Sequence, residues 1–445
     1  MQTDLSARPY AIRRSDAFYA DLYSLVKAIQ DVVPEGAALK FCQTATLASL
    51  AYTGVFTEAM AQDAGAMLKD PDTQLKFGLD LRHYSNAARS SEALAIARGL
   101  RQADQRISPI IELSLRRPLG AGSITADLQG GYDFYRFNKR LQRERLQAVL
   151  GADLQFGTCS LDPNFEYSRR QSELGEIGAL PGGGTTSVRN AEDAVDISAG
   201  IDCGSAIGFR PFVSGAFQRA RNSAQRRKVI DHDTGTLRGG VAYNHPVIGK
   251  VALTASYADT TFDRQVLPDG RKNGYGLTTA GLKFERTLVS SLQLMAEVSY
   301  VKVNARNSTT AEFKGVNWGV ELTANPALRL QGRLFASRKV ISTLAVSALY
   351  HVDTTWGAQL NYAVGERLTL KALGSVKTRR MFGAQALFGP VLTDDNLKSA
   401  DLTATYKLNP RLSLIGLGRY ERRQANDAFY NYDNATVQLG FRLRL

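Results

Sequence analysis

Apolar and polar residues alternate strictly at the end of the chain, in ATVQLGFRLRL (residues 435–445). A helix would scatter the apolar residues around its circumference, whereas a strand places all of them on one face. In a soluble sandwich that face is hidden in a core. In an outer-membrane barrel it meets lipid, and the polar face meets a wet lumen. One strand cannot decide between these two folds.

The same period of two recurs from residue 73 to the C-terminus. Examples of the apolar faces are Leu75-Phe77-Leu79-Leu81, Val251-Leu253-Ala255-Tyr257, Val316-Trp318-Val320-Leu322 and Leu368-Leu370-Ala372. The opposite faces of these segments carry charges of both signs. Such charges are expected of a water-filled lumen and also of a solvated sheet face, so the period alone does not discriminate.

The connections between these segments alternate in length. Short turns rich in Gly, Pro and Asn, such as NHPVIG at Asn244 and LNPR at Leu408, fit tight hairpins. Long polar connections, such as residues 85–105 and 379–394, join the other pairs. A barrel explains this rhythm, because one rim has short periplasmic turns and the other has long extracellular loops. We predict an all-β, transmembrane antiparallel up-and-down β-barrel of about eighteen strands, with residues 93–101 and 343–351 ambiguous.

Aromatic residues on the apolar faces lie mostly towards the ends of the segments. They are Tyr132, Phe134, Tyr257, Tyr300, Trp318, Tyr362, Tyr406, Tyr420 and Phe441. We interpret them as girdles at the two lipid interfaces. Ordinary strand enrichment in aromatic residues explains any single one of them equally well.

The composition shows that the chain is positively charged. The 445 residues carry a formal net charge of +13, and the mean hydropathy is −0.21. The sequence contains no apolar stretch of the roughly 18 residues that a transmembrane helix needs. The positive charge suggests an anionic partner, such as lipopolysaccharide phosphate or an acidic polymer. We expect no nucleic-acid partner, because the basic clusters lie on loops of a membrane protein.

The N-terminal region is predicted to be composite. Residues 37–61 resemble a signal peptide, with Lys40 before a mostly apolar stretch and Ala59-Met60-Ala61 as the cleavage site. Residues 1–36 form an N-terminal extension, which is either an over-long start-site assignment or a true extended signal or soluble arm. Residues 62–72 are a periplasmic lead-in, and residues 73–445 form the barrel. The expected location is the outer membrane of a Gram-negative bacterium.

Candidate chemistry is sparse. Cys159 in a short turn and Cys203 at a strand end belong to the same rim, where they either form a disulfide in the oxidising periplasm or remain two unpaired buried thiols. The four histidines show no metal-ligand spacing, and no Gly-x-Ser-x-Gly motif occurs. We therefore expect no metal, no cofactor and no enzymatic activity.

Basic residues cluster at the long-loop rim. The predicted external rim consists of Arg136, Lys139, Arg140, Arg143, Arg226, Arg227, Lys228, Arg379, Arg380, Arg422 and Arg423. Arginine forks match phosphate and carboxylate oxygens. The rim would either dock onto lipopolysaccharide phosphates or form a positive funnel that guides an acidic polysaccharide.

Charged residues on the polar faces are candidates for the lining of the lumen. They are Glu297, Glu321, Arg329, Arg333, Lys371 and Asp401. They would either offer hydrogen bonds to the hydroxyls and carboxylates of a passing sugar, or pair across neighbouring strands and hold the barrel round.

Three segments carry a family resemblance: RGGVAYNHPVIGKVALTASYADTTFDRQ, YGLTTAGLKFERTLVSSLQLMAEVSY and LTATYKLNPRLSLIGLGRYERR. They resemble the outer-membrane β-barrel porins associated with exopolysaccharide export gene clusters, and the likeness covers residues 73–445. The resemblance implies a wide barrel that secretes an exopolysaccharide together with a periplasmic polysaccharide-export protein. It assigns a role to no individual residue.

Two other functions stay open at this point. A general diffusion porin would need a loop folded into the lumen, and residues 171–190 are the only connection with the length. A surface structural or adhesion barrel would have a plugged lumen and working loops.

Overall fold

The computed structural model describes residues 72–172, 174, 188–307, 312–342, 348–383 and 391–445. The predicted N-terminal extension and signal peptide lie outside these residues. The strands are β1 Asp72–Tyr84, β2 Asp104–Leu119, β3 Gly122–Tyr135, β4 Arg143–Phe156, β5 Cys159–Gln171, β6 Ala191–Cys203, β7 Gly208–Asn222, β8 His232–His245, β9 Gly249–Val266, β10 Lys272–Val289, β11 Leu292–Ala305, β12 Phe313–Ala327, β13 Leu330–Ser342, β14 Tyr350–Val364, β15 Leu368–Phe382, β16 Asp394–Lys407, β17 Leu412–Ala425 and β18 Tyr432–Arg444. Among these residues there is one short α-helix, α1 (Glu92–Ala97), and short 3-10 helices span Lys139–Leu141, Gln225–Ile230 and Ala428–Tyr430.

The strands form one closed antiparallel sheet. Each strand pairs with its neighbours in sequence, and β1 pairs with both β2 and β18. At the closure, Leu79 of β1 lies opposite Phe441 of β18 and Pro109 of β2. The predicted antiparallel barrel of eighteen strands is therefore confirmed.

The ambiguous segment at residues 93–101 is not a strand. It contains α1, whose first turn is capped by Ser91, the side chain of which accepts a hydrogen bond from the Leu94 amide at 3.4 Å. Serine is a favoured N-cap because its hydroxyl satisfies an amide that has no partner within the helix. No helix in the described part of the chain is long and apolar enough to span a bilayer.

The alternation in sequence becomes an apolar outer face and a polar inner face. Leu237, Leu253 and Leu402 point outwards and are 58–61% exposed. All nine aromatic residues predicted to form girdles have the outward parity of their strands. A closed ring of eighteen strands is wide enough to leave an aqueous passage between the inner side chains.

A disulfide joins two neighbouring strands at the short-turn rim. Cys159 begins β5 and lies directly opposite Cys203 at the end of β6. Their sulfur atoms are 2.07 Å apart. The bond therefore adds a covalent link at the short-turn end of two strands that already pair along their whole length.

Candidate channel lumen and its constriction

Charged side chains on the inner face pair across neighbouring strands. Glu321 accepts a hydrogen bond from Arg333 at 2.5 Å, and both oxygens of Asp401 accept from Arg419 at 2.7 Å. Glu297 lies 2.8 Å from Lys339, two strands away. These residues lie on the inner face of the wall, where their side chains pair across neighbouring strands.

The reach of Glu297 depends on a glycine between the two strands. A Cβ atom at Gly319 of β12 would lie 2.9 Å from the Glu297 carboxylate. Because that space is empty, the Glu297 side chain can extend across β12 towards Lys339 on β13. Lys371 shares the inner face and has no ion-pair partner among the residues that the structure describes.

Arg329 does not line the barrel wall, contrary to the prediction. β12 ends at Ala327 and β13 begins at Leu330, so Arg329 lies in the short turn between them. Alternation assigns a face only within a strand, which is why the sequence placed it wrongly. Arg329 instead helps to line a cleft of about 550 Å³ at the short-turn rim, next to the fully exposed Leu328.

Two arginines of the predicted external rim are buried. Arg379 and Arg423 are 8% and 2% exposed and both bind Asp395, the side chain of which is fully buried. Arg379 donates from Nε and Nη2 at 2.8 and 2.6 Å, and Arg423 donates from Nε at 2.7 Å. We call these three residues the Asp395 triad. Their charges are engaged within the wall, so they offer no free surface to lipopolysaccharide or to a polymer.

The other predicted rim residues divide by position. Arg227 is a further correction, because it is only 3% exposed. Arg143 and Lys228 are half-buried, and Arg380 and Arg422 are exposed on the outer face of the barrel. Exposed rim positions in the connections are Arg136, Lys139, Arg140 and Arg226. The basic external mouth is therefore smaller than the sequence suggested.

A second ion cluster on the inner face was missed in the sequence. Asp133 accepts hydrogen bonds from Arg106 at 3.1 Å and from Ser108 at 2.6 Å, and Arg145 lies 3.2 Å away. These residues occupy alternate positions on three consecutive strands, β2 to β4. Only the strand register reveals that they meet.

The ladder between β12 and β13 opens at its extracellular end. Their last registered pair is Trp318 opposite Arg338, although β12 extends to Phe313 and β13 to Ser342. Beyond this point β13 pairs only with β14. The two halves of the wall are therefore free to separate at the mouth.

A buried apolar cluster fills the place where they separate. Its members on β9–β12 are Phe262, Tyr275, Val301, Val303 and Phe313, and its members on β13–β15 are Val340, Tyr350, Val352 and Phe382. The first group has inward parity and the second has outward parity. An outer face can touch an inner face only if the upper ends of β13–β15 lie inside the ring formed by β9–β12. We call this overlap the seam.

Ring contacts fix the seam. Tyr275 and Tyr350 have ring centroids 5.5 Å apart, and Phe313 and Phe382 have ring centroids 5.4 Å apart. Tyr350 also stacks on Phe382 at 5.1 Å. Because Tyr350 is fully buried, the seam is a packed core and not a loose loop. It narrows the extracellular mouth from one side.

The connection between β1 and β2 also folds over the mouth. Arg89 in this connection donates a hydrogen bond to Glu421 on the inner face of β17 at 3.0 Å, and the Asn86 amide donates to Asn434 of β18 at 3.0 Å. The predicted constriction loop, residues 171–190, lies mostly outside the described residues.

Residues 249–445 match the family model described as "Putative beta-barrel porin 2". Over these residues, which are less than half of the chain, the sequence is similar to that β-barrel porin family. The match covers β9 to β18 and therefore both sides of the seam. Porins of this kind reside in the outer membrane, which agrees with the apolar outer face, and this location is the one predicted. No curated protein matches this chain in sequence.

Several solved structures align with this chain over most of its length. OccK9 (OpdG) of Pseudomonas aeruginosa aligns with 13% identity and a TM-score of 0.45, over 84% of this chain and 99% of that one. OccK2 (OpdF) of the same organism, in complex with glucuronate, aligns with 10% identity and a TM-score of 0.44, over 85% and 99%. OccAB3 of Acinetobacter baumannii aligns with 10% identity and a TM-score of 0.43, over 84% and 100%.

Proposed function

We propose that this porin is a passive diffusion channel for small polar solutes, constricted at its extracellular mouth by the seam. The seam is the observation that supports this proposal. A diffusion porin needs an element folded into its lumen, and the upper ends of β13–β15 supply one. The sequence pointed to residues 171–190 for this task, whereas the constriction proposed from the structure lies on β13–β15.

The charges of the lumen support weak selectivity. Inner carboxylates such as Glu321 and Asp401 each contact an arginine. The electrostatic potential along the wall is therefore set mainly by paired opposite charges and not by an excess of one sign. Such a wall keeps the passage hydrated without strongly excluding either cations or anions. We expect a large preference for one ion only after a pair is broken.

The seam can be tested through single-channel conductance in planar bilayers. Tyr350→Ala removes the buried ring that contacts both Tyr275 and Phe382, and truncating a buried aromatic side chain costs about 3–5 kcal/mol of packing. The upper ends of β13–β15 should then move away from the inner face, and the conductance and the largest permeating sugar should both increase.

Tyr406→Ala is the matched control, because that tyrosine lies on the outer face near the short-turn rim. It should leave conductance unchanged. If Tyr350→Ala conducts like the wild-type porin, or if the wild-type barrel conducts no ions at all, the diffusion proposal is wrong.

Secretion of an exopolysaccharide is the second candidate function. The resemblance to barrels of export gene clusters supports it, and so does the cleft around Arg329, which lies at the rim where a periplasmic polysaccharide-export protein would dock. The cargo would be an acidic polysaccharide. A chain polymer would need the seam to open during passage.

Gene deletion separates the two functions. Export predicts that secreted polymer disappears while its synthesis inside the cell continues, and that Arg329→Glu reproduces this loss by repelling or displacing the partner. Diffusion predicts that secreted polymer is unchanged and that uptake of small solutes falls.

A further inference from the structure

The outer face carries two apolar grooves of similar size. Groove A, of about 510 Å³, has Ala199, Gly215 and Gly235 on its floor and is bordered by Phe217 and Tyr257. Groove B, of about 450 Å³, has Ala358, Gly374 and Ala400 on its floor and is bordered by Trp356 and Tyr420. Both lie where a row of small residues crosses strands that otherwise carry large apolar side chains.

The floor of groove B follows one row of the sheet. Ala358 lies directly opposite Gly374, and Gly374 lies directly opposite Ala400. Larger residues, Leu360 and Leu402, occupy the next outward row towards the short-turn rim. On the extracellular side the next outward row consists of Trp356, Val376 and Lys398, which also line the groove.

The two grooves differ in charge at their extracellular ends. Lys398 lines groove B, is exposed, and has no ion-pair partner in the part of the chain that the structure describes. Arg422 lies directly opposite it and has a 3.6 Å contact with Asp433, which also accepts a hydrogen bond from Tyr420. The end of groove B thus has two cations and one carboxylate.

At groove A the corresponding charge is neutralised. Arg219 lies one outward row above Phe217, and its Nε and Nη2 atoms donate to both oxygens of Asp233 at 3.0 and 3.2 Å. Arg221 also contacts Asp233 and Asp263, so each of these two arginines has a carboxylate partner. The grooves therefore share shape and aromatic borders but not charge.

We propose that groove B is a specific binding site for lipopolysaccharide of the outer leaflet. An acyl chain lies in the groove between Trp356 and Tyr420, and a phosphate of the lipid A headgroup is bound by Lys398 and Arg422. Two cations close together at the end of an apolar channel match an amphiphile whose headgroup is phosphorylated. Trp and Tyr favour the boundary between hydrocarbon and headgroups, where this groove ends.

The test uses the full-length mature porin in nanodiscs, with the affinity for fluorescent lipopolysaccharide as the readout. Gly374→Leu fills groove B, and Gly235→Leu is its match in groove A. A Cβ atom at either glycine meets nothing within 4 Å, so both variants should fold. We expect Lys398→Gln to weaken binding about tenfold, through the loss of one charge-assisted contact. Gly374→Leu should also weaken binding, because its side chain occupies the groove, while Gly235→Leu binds like the wild-type porin.

Dephosphorylated lipid A separates the headgroup from the acyl chains. It should bind the wild-type porin at least as weakly as lipopolysaccharide binds Lys398→Gln, because it loses the contacts with both Lys398 and Arg422. Equal losses in Gly374→Leu and Gly235→Leu, or undiminished binding of dephosphorylated lipid A, would overturn the proposal. So would a Gly374→Leu variant that binds lipopolysaccharide normally but changes its oligomeric state, because groove B would then be an interface between copies of the chain.

Discussion

The Asp395 triad concentrates charge in a buried part of the wall. The side chain of Asp395 is fully buried, and the side chains of Arg379 and Arg423 are 10% and 1% exposed. Hydrogen bonds of 2.6–2.8 Å join the three residues. Asp395→Asn removes the negative charge but preserves size, so it leaves two buried guanidinium groups facing a neutral amide.

Breaking a buried ion pair by removing one partner costs about 3–5 kcal/mol. Asparagine keeps one acceptor oxygen, so we expect a loss near 3 kcal/mol, which is a factor of roughly 100 in the folding equilibrium. The expected result is a lower midpoint of urea unfolding in detergent and a lower temperature at which the folded band disappears from cold-loaded gels.

Asp401→Asn is the matched control, because its partner Arg419 is 39% exposed at the side chain. Solvent screening limits such a pair to about 1 kcal/mol or less. The reasoning fails if the two variants lose the same stability, or if Asp395→Asn unfolds at the wild-type midpoint. Equal losses would mean that burial does not set the strength of these pairs.

Three further predictions concern closure and pH. Arg442→Ala should lower refolding yield far more than Arg444→Ala, because Arg442 contacts carboxylates of β1 and β2 at 2.7 and 3.2 Å, whereas Arg444 makes one exposed contact at 4.0 Å. Cys159→Ser should abolish the mobility difference between reduced and non-reduced gels and lower the free energy of unfolding by about 2–4 kcal/mol, measured by urea titration. Burial raises the pKa of the Asp231 carboxyl above its usual 3.8. Since the folded state then holds that proton more tightly, this group stabilises the fold at low pH and the contribution is lost as pH rises. Asp231→Asn should therefore be more stable than the wild-type porin at pH 7 in thermal unfolding, and the difference should shrink towards pH 4.

The barrel could be predicted from the sequence because the alternation of apolar and polar residues within each strand identifies its two faces without knowledge of the other strands. A parity error of one residue would have moved Glu321 or Asp401 to the lipid side, and both lie inside. The short turns were equally local: Gly157 and Gly365 have positive φ angles of 62° and 70°, which suit glycine in tight turns. Arg329 was misplaced because local parity ends with the strand.

The seam could not be predicted because its residues follow the same alternation as those that face lipid. Val340, Tyr350 and Val352 are indistinguishable by pattern from Leu334 and Leu360 lower on the same strands. The two groups differ in their distance from the extracellular ends of the strands and in whether they lie beyond the end of the β12–β13 pairing. The alternation of apolar and polar residues shows neither of these properties. The burial of Arg423 could not be predicted either, because its partner, Asp395, lies on another strand.

Forming the seam loses backbone hydrogen bonds between β12 and β13 and gains burial of apolar side chains. Which of the two free energies is larger depends on the position of these residues at the mouth of the barrel. Separating the upper ends of β12 and β13 removes ladder hydrogen bonds, but each backbone group at this height can bond to water, so the net loss per bond is small. If the ladder stayed closed, Tyr350 and Phe382 would point outwards above the hydrocarbon and meet water or headgroups. Folding inwards removes both rings from water. In the lower part of β13–β15 the apolar outer face is therefore buried against lipid, and in the upper part it is buried inside the barrel. The same alternation of apolar and polar residues thus stabilises both the wall and the constriction.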